Sequence, residues 1–142
     1  MRRIGTYPVD VLENAIKAFG SAERWKSQSR MEVIESELPL VSERYKFGGT
    51  LDAAMVHDRL SLGDWKTGKL YDSHLIQVCG GYALLWEENF PDRPITGGFN
   101  LLSFTKEGDF GHKWWQDVPE AKRAFLLMRE LYDLVDKIKK RI

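Results

Sequence analysis

The sequence predicts an α/β protein: a mixed central β-sheet flanked by helices. Three observations lead there. Residues 45–82 read as two strands joined by a tight turn, then a short loop and a helix. Residues 117–139 carry apolar side chains at helical spacing, and the runs at 31–37 and 95–105 have the composition of further strands.

From the N-terminus, Pro8 suits a first helical position, and Val9, Leu12, Ile16 and Phe19 follow at helical spacing up to Gly20, a common stop. Residues 21–25 form a further short turn. The partly alternating, β-branched run Met31–Glu37 is a strand, and Leu38-Pro39-Leu40 is expected to break or bend it, because proline gives a ladder no donor. Residues 41–46 resume an extended path into the strand that carries Asp52.

The polar trio His57-Asp58-Arg59 is the hairpin turn. That choice sets the register: Val56 faces Leu60, Ala54 faces Leu62, and Asp52 faces Asp64. After an exit loop at Thr67-Gly68-Lys69, Asp72 or Ser73 caps a helix that runs to about Asn89. Gly80 and Gly81 inside it each cost about 1 kcal/mol relative to alanine, which implies close packing of that turn against the sheet. Residues 91–94 form a loop, 95–105 a strand, 106–109 a turn, and 110–115 a strand that pairs back. The last helix is capped by Asp117, with Pro119 and Glu120 in its first turn. Ala121, Phe125, Met128, Leu131, Tyr132, Val135 and Ile138 form its apolar stripe, and Lys137, Lys139, Lys140 and Arg141 suit its C-terminal dipole.

With 142 residues, no repeats and no linker, the chain reads as a single domain over residues 1–142. Its 21 basic and 21 acidic residues cancel, so no global positive field announces a nucleic-acid coat protein. One cysteine, Cys79, excludes an internal disulfide and a cysteine-built zinc site. No apolar run approaches the ~20 residues that span a membrane, and no signal-peptide core follows Met1-Arg2-Arg3. The expectation is a soluble cytoplasmic protein.

Three charges stand where burial would ordinarily forbid them. Alternation puts Asp64 and Lys66 on one face, and directly opposed residues such as Asp52 and Asp64 have Cβ atoms roughly 4.5–5.5 Å apart. Two carboxylates held that close repel unless a cation or a proton sits between them. Oxygen ligands beside an ammonium suit Mg²⁺ or Mn²⁺, and such an ion with a lysine next to it is equipped for phosphodiester hydrolysis.

The series Gly48-Gly49-Thr50-Leu51-Asp52, Asp64-Trp65-Lys66-Thr67-Gly68-Lys69, then His74 and Gln77 on a helix, resembles the PD-(D/E)xK nuclease superfamily over about forty residues. The nearest likeness is to its RecB-like branch, which includes phage-type exonucleases; residues 94–102 are also similar to the phage-type members. The resemblance implies a restriction-endonuclease-like fold. It implies that Asp52, Asp64 and the Trp65 backbone carbonyl bind Mg²⁺ or Mn²⁺, and that Lys66, with Gln77, is catalytic. Two departures carry expectations of their own. The branch has Gln-x-x-x-Tyr, whereas Gln77 and Tyr82 are five apart, about 140° around an α-helix, so Tyr82 is expected off the usual position. The branch's upstream ligand has no histidine counterpart here, which leaves Glu13, Glu23, Glu37 or none.

Blander readings stand beside these. His74 needs no function at a helix start, Gln77 equally fits a loop hydrogen bond, and Glu37 fits a solvent-facing strand. Of Trp114 and Trp115, one is expected in the core and one as cover, although paired tryptophans also stack on single-stranded bases. Gly63 to Lys69 fits the start of a phosphate-binding loop, but Leu70 stands where Ser or Thr is required, so that reading is set aside. The expected function is a metal-dependent DNA nuclease, an exonuclease of phage or bacterial DNA recombination and repair. DNA is its partner, with self-association through an exposed aromatic surface as a further expectation. The alternative is a degenerate nuclease-fold module that binds nucleic acid or protein without cleavage.

Overall fold

The hairpin read from the sequence forms the middle of a five-stranded sheet. In a computed structural model, which describes residues 3–4, 7–8, 30–104 and 110–142, a two-residue ribbon pairs β1 (Arg3–Ile4) with β2 (Tyr7–Pro8). Pro8 therefore belongs to a strand pair and does not open a helix. The apolar series Val9–Phe19, Gly20, the turn at 21–25 and the turn at 106–109 lie outside the described residues. The main sheet holds β3 (Glu32–Ser42), β4 (Phe47–His57), β5 (Arg59–Thr67), β6 (Phe99–Phe104) and β7 (Phe110–Trp115), in that spatial order. Only β5 and β6 run parallel, which makes the sheet mixed.

The β4–β5 register is the expected one as far as it runs, with Val56 paired to Leu60, Ala54 to Leu62 and Ala53 to Gly63, but the ladder stops there and the expected Asp52–Asp64 pair is not part of it. The bend is tighter than the expected trio, because His57 already pairs with Arg59 and Asp58 turns the chain alone at φ 65°. Aspartate tolerates that left-handed conformation better than most residues. Pro39 does not break its strand. It pairs with Thr50 within a continuous β3, where an edge position lets its missing N–H face away from the ladder. A bulge between Val33 and Glu35 shifts the register instead.

Residues 72–89 form one helical rod in three parts: α1 (Asp72–Ile76), a π-helical turn (Gln77–Tyr82) and α2 (Ala83–Asn89). Its start is closed by Tyr71 and His74, since the Tyr71 N–H donates to His74 Nδ1 at 3.1 Å. Its end is tied to the far end of β3. Ser42 Oγ donates to Glu88 Oε1 at 2.7 Å, and Asn89 Nδ2 donates to the Val41 carbonyl at 3.0 Å. Val78, Cys79, Tyr82, Leu85 and Trp86 lie in one core cluster with Leu51, Ala54, Leu60, Leu62 and Leu101 of the sheet. The opposite face gathers Ala53, Met55, Leu102 and Phe104, with Trp65 packed against them.

Strand β6 starts at Phe99, four residues later than its sequence pattern. The Gly97 N–H donates to the Leu60 carbonyl, and Gly98, at φ 82°, turns the chain into the parallel ladder. Buried Asn100 then ties three strands: its Nδ2 donates to the Leu62 carbonyl at 3.3 Å and its Oδ1 lies 2.8 Å from His112 Nε2. Trp115 is half-buried against the helix-side core, while exposed Trp114 donates its indole N–H to the Gly97 carbonyl at 2.8 Å.

The last helix, α3 (Pro119–Lys139), begins with proline at its first position. Val118 holds the cap position without a side-chain hydrogen bond, so Asp117 is not the cap. Of its apolar stripe, Ala121 is buried and Phe125 half-buried, whereas Met128, Leu131, Tyr132, Val135 and Ile138 are exposed. Among the described residues no helix is long and apolar enough to cross a membrane.

Gly80 and Gly81 do allow a close approach, but to α3 and not to the sheet. A Cβ at Gly80 would run into the Ala121 carbonyl oxygen, and one at Gly81 would stand 2.8 Å from the Phe125 ring. Gly80→Ala is therefore expected to destabilise the protein. Alanine gains about 1 kcal/mol of helix propensity, but overpacking against a backbone atom costs about 1–3 kcal/mol or more. Urea unfolding checks it: a midpoint equal to or above wild type contradicts the contact.

Candidate active site

Strand β4 carries Asp52, β5 carries Asp64 and Lys66, and the π turn carries Gln77 and Tyr82. The two strands are regularly paired as far as Ala53 and Gly63. There the inside–outside alternation of β4 slips: Leu51 and Ala54 both belong to the helix-side core, while Ala53 and Met55 belong to the opposite face. On the neighbouring strand Glu37, between the pairs Ser36–Ala53 and Leu38–Leu51, has φ 48°. Trp65 keeps Leu102 of β6 as its ladder partner, while toward β4 its backbone N–H donates to the Asp52 side chain, Oδ2, at 2.8 Å.

Residues of β5 alternate between their two neighbours, and the Leu62 and Gly68 N–H groups donate to carbonyls in and beside β6. Trp65, out of step with them, turns its N–H toward β4.

Asp64 is 2% exposed. Its carboxyl is raised from an ordinary 3.8 to about 7, first by burial and then by the hydrogen bond it shares with the Asp52 side chain, with the Lys66 ammonium opposing both. Lys66 Nζ stands 2.8 Å from Asp64 Oδ2, yet that oxygen has no aligned hydrogen-bond donor among the described residues. The pair is held by charge, and its lysine side chain, 21% exposed, reaches toward solvent. The same Nζ donates to Gln77 Oε1 at 2.8 Å.

The Gln77 amide is oriented by its neighbours. Lysine only donates, so Oε1 faces Lys66, and Nε2 donates to Tyr82 Oη at 3.1 Å. The expectation that Tyr82 stands off to one side is therefore overturned, and the reason is the π turn. With i→i+5 bonding, seen where the Ala83 N–H reaches the Val78 carbonyl, residues five apart lie nearly above one another. Tyr82 keeps its proton: burial, and then the charges of Asp64 and Asp52, push the phenol up to about 12. The signal for this arrangement lay in the sequence as one surplus residue between Gln77 and Tyr82 beside a Gly-Gly pair.

The structure thus brings Asp52, Asp64, Trp65, Lys66, Gln77 and Tyr82 together. His74 stays outside the cluster as the helix-start acceptor, its pKa lowered by burial and by Lys66. Glu37 is exposed beside Asp52 in the ladder, and Glu13 and Glu23 lie outside the described residues. No group of three or more His, Cys, Asp or Glu side chains that could hold a metal occurs among the described residues. Two carboxylates and a carbonyl are nevertheless a hard-oxygen set, and Mg²⁺ is commonly held by one or two carboxylates with water completing its shell. The Asp64 oxygen without an aligned donor fits such a cation. Residues 63–67 lie in β5, so they form no phosphate-cradling loop.

No family model and no curated protein sequence matches the chain. Solved structures do. A candidate exonuclease from Eubacterium rectale superposes with a TM-score of 0.60 at 13% identity, covering 84% of this chain and 50% of its own. The protein SSO0001 superposes with a TM-score of 0.53 at 14% identity, covering 91% of this chain and 62% of its own. The chain thus spans half the length of the first and under two thirds of the second. At such identities the likeness establishes the α/β fold, one shared with a nuclease-like neighbour.

The raised Asp64 carboxyl carries a sign. The native state holds that proton more tightly than the unfolded chain, so its stabilising contribution is complete below about pH 4 and lost as pH rises through about 7. In chelator-treated protein, Asp64→Asn is expected to flatten the fall in unfolding temperature across that window. Parallel wild-type and mutant profiles would place the proton elsewhere.

Proposed function

We propose that the protein is a Mg²⁺- or Mn²⁺-dependent DNA nuclease of the PD-(D/E)xK type, RecB-like branch, that hydrolyses phosphodiester bonds. Its expected setting is phage or bacterial recombination and repair, with exonuclease action at a strand end. The observation that carries this reading is the pair of half-buried Asp52 and buried Asp64 beside Lys66, on a fold shared with a candidate exonuclease.

In this reading Asp52 and Asp64, with the Trp65 carbonyl, hold the cation. When bound, the ion polarises the phosphoryl group and offsets its charge. Asp64 must then give up its proton, so affinity for the ion rises with pH toward and past about 7. Lys66 orients the attacking water or meets the charge that develops on phosphate oxygen, through an ammonium already fixed by Gln77. Gln77 is held in turn by Tyr82. The zero net charge leaves substrate attraction to local groups and to the cation.

A second reading, a degenerate module that binds nucleic acid or protein without cleavage, has one observation in its favour. No third carboxylate or histidine joins Asp52 and Asp64 among the described residues. Digestion of end-labelled linear DNA separates the two. The nuclease cleaves in Mn²⁺, stops on chelation, and loses about 10²–10⁴-fold in rate with Lys66→Ala. Mn²⁺ binding seen calorimetrically at Asp52 and Asp64 without any cleavage supports the module instead.

A further inference from the structure

Between α1 and the middle of α3 lies a cleft of about 270 Å³, with Gln77 in its wall. Because Gln77 also binds Lys66, the cleft opens directly beside the charged cluster. Its other walls include Phe125, Met128 and Tyr132, with Ser73 on the α1 side. Tyr132 is 67% exposed, and the Arg129 guanidinium carbon stands 5.9 Å from the centre of its ring. Arg129 is anchored from behind, since its Nη2 donates to the Lys46 carbonyl at 2.9 Å. Its Nε is buried with no hydrogen-bond partner among the described residues.

These walls specify an occupant. Aromatic, thioether and aliphatic surfaces favour a flat apolar body, while Arg129 and Ser73 call for hydrogen-bond acceptors at its edge. The neighbouring Lys66 calls for an anion attached to that body. A nucleobase on its phosphodiester meets all three requirements. A paired base inside a duplex does not, because its faces are already stacked and its edge is already engaged.

We propose that this cleft receives one unpaired nucleobase of a DNA strand, next to the phosphate presented to Asp52, Asp64 and Lys66. The inference rests on the nuclease reading and makes it more specific: the substrate is a single-stranded or frayed end.

The test is fluorescence anisotropy with a short fluorescein-labelled single-stranded DNA, and with a strand of equal charge built from abasic residues, both with Ca²⁺ replacing Mn²⁺. The wild type is expected to bind the base-bearing strand about tenfold more tightly than the abasic one. Tyr132→Ala loses that preference, and Tyr132→Phe keeps it. Equal binding of the two strands by wild type, or a preference unchanged in Tyr132→Ala, overturns the proposal. So does Tyr132-dependent dimerisation without base preference, which would assign the cleft to a second copy of the chain. Cleavage in Mn²⁺ is measured alongside. Cleavage without base preference sinks the cleft and leaves the nuclease reading standing, whereas base-dependent binding without cleavage does the reverse.

Discussion

The structure turns on two neighbouring carboxyl groups, Asp64 buried and Asp52 half-buried. Asp64 is almost wholly removed from water, and its carboxyl is pushed up by that burial and by the neighbouring Asp52 side chain. At an effective dielectric constant of about 20, two like unit charges about 4 Å apart repel by about 4 kcal/mol. That is a large share of a small domain's net stability of about 5–15 kcal/mol. The fold answers with a proton on Asp64, the Lys66 ammonium at 2.8 Å, and the Trp65 N–H on Asp52.

Around that cluster the backbone is irregular on both the strand and the helix. The slip of β4 at Asp52 ends the regular β4–β5 ladder and lets a side chain take over a strand hydrogen bond. The π turn does the corresponding work on the helix, returning Tyr82 to Gln77. The glycines in that turn bring α3 against it, so the helix carrying Phe125, Arg129 and Tyr132 is seated by the segment that orients Gln77. Lys66, Gln77 and the cleft wall are mechanically one unit.

Most of the scaffold was legible locally. The hairpin register follows from alternation and a polar turn, and the structure reproduces it from Val56–Leu60 to Ala53–Gly63, stopping short of the expected Asp52–Asp64 pair. The parallel pairing of β5 with β6 was not legible, because nothing in a strand's own sequence names its neighbour across an intervening helix. Pro39 misled for a related reason: proline excludes the interior of a sheet, but only the completed strand order makes β3 an edge.

The sequence by itself determined that Asp64 and Lys66 share a face, since a period of two residues along a strand is a property of the backbone alone. The tertiary structure decided the rest: the slip that brings Asp52 onto the Trp65 N–H, the π turn that restores Tyr82 to Gln77, and the burial that raises the Asp64 pKa. Each depends on packing between segments far apart in the chain. A single helical turn or a single strand has no reason to deform until Gly80 meets Ala121 and the sheet closes over Asp64.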